Sequence, residues 1–235
     1  MVERYRIGSL DRSEVLRYLG YRGQTISEEL SQRIDAQVAR SLKLATPSGV
    51  WRIVPVSGVV EKDGVPEVTL EGTSLVLSGH SIARHLRGAV GAALLVVTTG
   101  MGVERELRRL ALTSPLDQAV FDAAGTELAE RTADACEASI VAAARERGLY
   151  TNFRFSPGYG DLPLKTQPEL LRTLDAQRQL GVTLTESLLM IPTKSVSAVI
   201  GLFPEPRDEK RQKSCSGCRC FDFCNIRLAG TTCRS

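Results

Sequence analysis

Apolar residues recur along this chain with two periods, and the switch from one to the other lays out its elements. Leu30, Ile34, Val38 and Leu42 fall at every fourth position, the stripe of an amphipathic helix. Upstream, Asp11 and Glu14 have the spacing of a capping box ahead of VLRYLG, so the chain opens on two helices. The period then shortens: WRIVPVSGVV, PEVTLEG and TSLVLSG read as strands, and Lys62-Asp63-Gly64 supplies the hairpin turn between the first two. Ser81 begins a short helix, AALLVVTT is an apolar run of strand length, and VERELRRLAL returns to helical spacing. Ser114-Pro115 starts the longest element, a helix running toward Gly148, because serine caps and proline at the first helical position lacks only an N–H that would go unpaired. A helix of about three turns is expected around Leu170 to Leu180. Two strands, TLTESLLMIP and SVSAVIGLF, follow around Pro192-Thr193-Lys194-Ser195. Helices and strands come in blocks and not in repeated strand–helix–strand units, so the predicted class is α+β, with one domain over residues 1–205 and a tail over 206–235.

Composition narrows the function classes. With 235 residues, 43% of them hydrophobic, the chain buries a full core. A net charge of +3 is too mild for nucleic-acid binding through the whole surface. No apolar run reaches membrane length and no secretory leader opens the sequence, so a cytoplasmic protein without a membrane partner is expected. Of six cysteines, Cys136 lies in the long helix, while Cys215, Cys218, Cys220, Cys224 and Cys233 crowd the tail. Disulfide scaffolds spread their cysteines through the fold, so this clustering points to a local metal site. Cys215, Cys218, Cys220 and Cys224 suit tetrahedral zinc and an iron–sulfur cluster alike, and the spacing does not choose between them. Arg207, Lys210, Arg211, Lys213 and Arg219 around them fit an acidic protein partner; with only Phe221 and Phe223 as aromatics, they argue against nucleic acid.

Three further patterns carry candidate chemistry. Gly100-x-Gly102 follows a strand and precedes a helix, the setting of a dinucleotide fingerprint, but Arg105 stands where the third glycine belongs, so a tight strand-to-helix turn is the reading. His80 and His85 lie about 140° apart on a helix and do not share a metal. In Arg154–Asp161, RFSPGYGD, Pro157, Gly158 and Gly160 let backbone approach a ligand, Arg154 offers a planar fork to a carboxylate, and Tyr159 offers a flat amphipathic ring. From the residues alone this is either a ligand loop or an ordered loop in which Arg154 bonds Asp161.

RFSPGYGDLPLKTQ followed by GVTLTESLLMIPTKSVSAVIG resembles the reactivation domain of cobalamin-dependent methionine synthase, in its short stand-alone form. The shared features are Arg-x-x-Pro-Gly-Tyr, Leu-Thr-Glu-Ser, and Met-x-Pro followed by Ser-Val-Ser, with LRYLGYRG and LAERTAD extending the similarity over residues 5–204. The resemblance implies a C-shaped domain with a bent antiparallel sheet flanked by helices. It implies binding of S-adenosylmethionine and reductive remethylation of cobalamin on a partner protein, with electrons from a flavodoxin-like or ferredoxin-like donor. Carried over, Arg154 pairs with the ligand carboxylate, Ser156, Pro157 and Gly158 line the same ligand, and Tyr159 faces the corrinoid as the catalytic candidate. Glu130, one turn before Asp134, meets the ammonium or sulfonium; Asp11 supplies a further carboxylate, although capping explains it equally well. Glu186, Ser195 and Ser197 shape the cleft, and Lys194 faces the corrinoid or an acidic partner. With neither a substrate barrel nor an Asp-x-His-x-x-Gly cobalamin motif, the chain is expected to act in trans on a methionine synthase or another corrinoid methyltransferase. The alternative is a non-catalytic binding or assembly partner of a corrinoid protein.

Overall fold

The computed structural model describes residues 1–206. Their elements are, in order, β1 (Val2–Arg4), α1 (Arg12–Tyr18), α2 (Glu28–Leu44), β2 (Ser48–Lys62), β3 (Val65–Leu70), β4 (Val76–Ser78), α3 (His80–His85), β5 (Gly91–Thr98), α4 (Met101–Thr113), α5 (Pro115–Arg145), β6 (Tyr150–Thr151), α6 (Gln167–Thr173), α7 (Ala176–Leu180), β7 (Thr183–Leu184), β8 (Met190–Ile191) and β9 (Ser195–Phe203). The main sheet is antiparallel throughout, in the order β4-β3-β2-β5-β9-β6, with β1 also on β2. β2 pairs β5 through Pro55 and β3 from Val56 onward, with the register slipping between Val56 and Gly58. An extra residue at that point bends the strand and curls the sheet. The α+β class and the bent sheet flanked by helices follow the sequence-based expectation.

Every residue of β5 is buried, because both faces of the sheet are covered. Ala93, Leu95 and Val97 pack with Ala133, Cys136, Ile140 and Ala144 of α5. Ala92, Leu94 and Val96 face the other way, toward Leu162, Leu170, Leu174 and Val182. Period-two alternation thus serves two cores at once, which is why the strand reads as a continuous apolar run. Small residues on the buried side of α5 let this helix, about 45 Å long, lie close along the sheet. Ser114 caps it by accepting from the Asp117 N–H at 3.4 Å.

Four local expectations need correction. The helix around Leu170 to Leu180 is two helices, α6 and α7, broken where Asp175 takes a left-handed φ of 52°. TLTESLLMIP is not one strand but the two-residue hairpin arms β7 and β8 joined by a turn in which Thr185 accepts from and donates to Leu189 and Leu188 has φ 65°. The capping box is half formed: the Asp11 carboxylate accepts from the Ser13 N–H at 2.8 Å, while Glu14 pairs with Arg17 and the Asp11 N–H donates to Glu127 of α5 at 3.3 Å. The short helix begins at His80, one residue before Ser81.

The Gly100-x-Gly102 turn is a packing device. A Cβ on Gly102 would sit 2.2 Å from the Leu44 carbonyl oxygen at the end of α2, so α4 meets α2 through bare backbone there. The missing third glycine is consistent with this use. The basic Cys-rich tail, including Cys215, Cys218, Cys220 and Cys224, lies outside the described residues.

Candidate ligand site

The site begins with a segment that runs alongside β9. After β6, the Asn152 side chain accepts from the Gly201 N–H at 2.7 Å and donates to the His85 carbonyl at 2.9 Å. Phe155 exchanges both backbone hydrogen bonds with Val199 at 2.9 Å. Arg154 is therefore held between two backbone anchors, and its side chain turns to α5. There Nη1 donates to Asp134 at 2.8 Å and Glu137 at 2.7 Å, and Nη2 donates to Glu130 at 3.2 Å. Steps of four and three residues bring the three carboxylates to one helix face.

Two consequences follow from the count of charges and donors. One guanidinium serves three carboxylates, so the exposed Glu130 and Asp134 share their cation with Glu137. Of the five N–H donors of a guanidinium, three are engaged; Nε and one Nη2 N–H have no partner among the described residues. The Arg154 side chain is only 13% exposed, against 46% for Glu130, 56% for Asp134 and 19% for Glu137. Burial pulls the Arg154 pKa down, but the carboxylates of Glu137, Asp134 and Glu130 more than reverse this and raise it above its ordinary value. The guanidinium therefore stays charged.

The loop after Arg154 closes on itself through Tyr159 N–H to Ser156, Leu162 N–H to Tyr159 and Gly158 N–H to Leu162, all near 3 Å. Asp161 then clamps it to α3, accepting from the His80 and Ser81 N–H groups at 2.8 Å each. Gly160, at φ 55°, would bring a Cβ within 2.8 Å of Ser81, so the clamp needs glycine there. Tyr159 is left 54% exposed, edge-on to Phe155 at 6.4 Å between ring centroids.

The structure thus brings Arg154 together with Glu130 and Asp134, and puts Ser156, Pro157, Gly158 and Tyr159 on the adjoining loop. Asp11 reaches the same helix, but through its N–H to Glu127, with its carboxylate engaged by Ser13. The Arg154–Asp161 bond weighed from sequence is not formed, because each residue is taken by nearer partners on α5 and α3. Lys194 does not face outward: its side chain is 14% exposed, and Nζ bonds Thr126 at 2.8 Å and pairs with Asp122 at 2.9 Å. Ser195 and Ser197 are held by Thr98 and Gln167, while Glu186 stands exposed on the β7–β8 turn. His85 is buried beside the Phe153 and Phe155 rings and His80 is exposed, so they form no pair. Sequence reasoning missed Glu137, although the spacing Glu130-x3-Asp134-x2-Glu137 carries the signal. Among the described residues no cluster of three or more histidine, cysteine or acidic side chains is arranged to hold a metal ion, and no helix is long and apolar enough to cross a membrane.

Asp161 gives a pH-dependent prediction. Burial pushes its carboxyl up, but the N–H groups of Ser81 and His80 outweigh that and hold it below the ordinary carboxylate range. A lowered native pKa stabilises fully above the unfolded value of about 4 and is lost as pH falls through the native value. Asp161→Asn is therefore expected to lower the melting temperature at pH 7, with the difference from wild type shrinking in thermal melts as pH falls through the lowered native pKa.

Residues 90–209, just over half the chain, match the model of the family described as vitamin B12 dependent methionine synthase, activation domain. Among solved structures, the MetH reactivation domain bound to AdoHcy is similar in fold, with a TM-score of 0.62 at 17% sequence identity, covering 88% of this chain and 80% of that one. No curated protein sequence matches the chain.

Proposed function

Because the chain belongs to the vitamin B12 dependent methionine synthase activation domain family, we propose that it binds S-adenosylmethionine between α5 and the loop 154–161 and supports reductive remethylation of a corrinoid carried by another protein. The observation that carries the reading is Arg154 among three carboxylates, with two N–H donors to spare. S-adenosylmethionine presents a carboxylate, an ammonium and a sulfonium. The spare fork of Arg154 takes the carboxylate as a charge-assisted pair, and the exposed carboxylates of Glu130 and Asp134 take the cations. The similar MetH domain, which was solved with AdoHcy, supports this choice of ligand. Ser156, Pro157 and Gly158 line the ligand, and Asp11, whose N–H bonds Glu127 about one turn before Glu130, is an outlying contact.

The corrinoid, when bound by its partner, would accept one electron from an external donor and a methyl group from the sulfonium, whose S–CH3 bond breaks to leave the neutral thioether S-adenosylhomocysteine. A flavodoxin-like or ferredoxin-like protein fits the donor role, and a methionine synthase or another corrinoid methyltransferase acting in trans fits the partner. Tyr159, exposed on a loop fixed at both ends, would face the corrinoid during methyl transfer. We also propose Cys215, Cys218, Cys220 and Cys224 as a thiolate site for zinc or an iron–sulfur cluster; metal analysis and the absorption spectrum of anaerobically purified protein distinguish the two.

The test adds this chain to a separate corrinoid protein in the cob(II)alamin state with S-adenosylmethionine and a chemical reductant, and follows the corrinoid spectrum. The methylated form is expected only when the chain and the methyl donor are both present. An equal rate without the chain contradicts the reading and favours a non-catalytic partner. Tyr159→Ala is expected to slow remethylation by about tenfold while changing S-adenosylmethionine affinity by less than about twofold, the pattern of a group used after binding.

A further inference from the structure

We infer that Glu137 is the positioning residue that aims Arg154, leaving Glu130 and Asp134 to exchange with the ligand; this rests on the reading of the site given under Proposed function. The three carboxylates around the guanidinium are not equivalent. Glu137 and Asp134 bond Arg154 at nearly the same length, 2.7 and 2.8 Å, and Glu130 at 3.2 Å, but burial separates them: Glu137 is 19% exposed, against 46% for Glu130 and 56% for Asp134. A charge-assisted hydrogen bond strengthens as water is withdrawn, and an exposed ion pair contributes little. The pair between Glu137 and Arg154 is accordingly the lasting one.

Both ends of that pair stand on fixed backbone. Glu137 follows Cys136, which is fully buried against the sheet, in the middle of α5. Arg154 precedes Phe155, pinned to Val199 by two backbone hydrogen bonds. A cationic ligand that draws on Glu130 and Asp134 replaces the two solvent-exposed partners, while Glu137 keeps the fork in place for the ligand carboxylate. Without Glu137 the guanidinium keeps Glu130 and Asp134 as its partners among the described residues, and it closes over the carboxylates that the ligand needs.

The test has a readout that requires no ligand. In ¹⁵N-labelled protein, the slowly exchanging guanidinium signals of Arg154, assigned by their loss in Arg154→Lys, are expected to persist in Glu130→Gln and Asp134→Asn and to broaden away in Glu137→Gln. Titration of the same proteins with S-adenosylmethionine is expected to show about tenfold weaker binding for Glu137→Gln, with the effect largely gone in the Arg154→Lys background, where no fork remains to be aimed. If Glu137→Gln does not fold, Glu137→Asp, which keeps the charge but shortens the reach, is expected to broaden the same signals. Guanidinium signals that persist in the Glu137 variants, or that are lost equally in all three acidic variants, overturn the inference. If wild type binds no S-adenosylmethionine, the functional reading fails, and the guanidinium signals still decide whether Glu137 positions Arg154.

Discussion

Arg154→Ala is expected to weaken S-adenosylmethionine binding by at least about a hundredfold, because removing one member of a desolvated charge pair costs both the bond and the solvation of what remains. The loss has two sources. The ligand carboxylate has no other arginine fork in the site as described. Glu130, Asp134 and Glu137 lose the cation that balances them, and they then repel one another along one helix face. Arg154→Lys keeps the charge but not the planar fork, so its affinity is expected to fall between those of wild type and alanine. Titration calorimetry measures the affinities, and thermal unfolding of the same samples separates a binding defect from a folding one. A drop in stability without a drop in affinity would remove Arg154 from the ligand site.

The second large effect lies away from the site. Gly102→Ala is expected to destabilise the fold by about 3 kcal/mol, at the upper end for overpacking, because the added carbon would press on the Leu44 carbonyl oxygen 2.2 Å away. Backbone cannot swing aside as a long side chain can, so α2 and α4 must separate. For a domain of this size the melting temperature should fall by about 10 °C. The same substitution tests what the Gly100-x-Gly102 turn is for: a dinucleotide site would lose a ligand with little change in stability, whereas a packing contact loses stability. An unchanged melting temperature would contradict the packing account.

The sequence made the large elements legible because each carries a local reason for its structure. The four-residue stripe of α2, the Ser114-Pro115 start of α5 and the Asp63-Gly64 turn, with φ of 51° and 75°, all use devices that act within a few residues. What escaped was decided at long range. β1 and β6 are too short to show a period and exist because β2 and β9 offer them edges. The break at Asp175 has no glycine or proline to announce it. The TLTESLLMIP segment reads as one strand by alternation, but its two ends pair with each other across a turn.

The candidate site shows the same division. The loop's residue types told of a carboxylate fork and of close backbone approach, and a helix spacing of four put Glu130 beside Asp134. Which partner Arg154 would take was not readable, because Asp161 is seven residues away in sequence while Glu137 is nearer in space. Lys194 illustrates the converse. A lysine in a turn reads as exposed, yet α5 presents Asp122 and Thr126 to it, and the turn folds against the helix.

The most direct measurement is a calorimetric titration of S-adenosylmethionine into the full chain. The account predicts saturable binding at one site, weakened by Glu130→Gln and removed by Arg154→Ala. A folded protein that takes up no S-adenosylmethionine, or one that binds it equally well after Arg154→Ala, would contradict it.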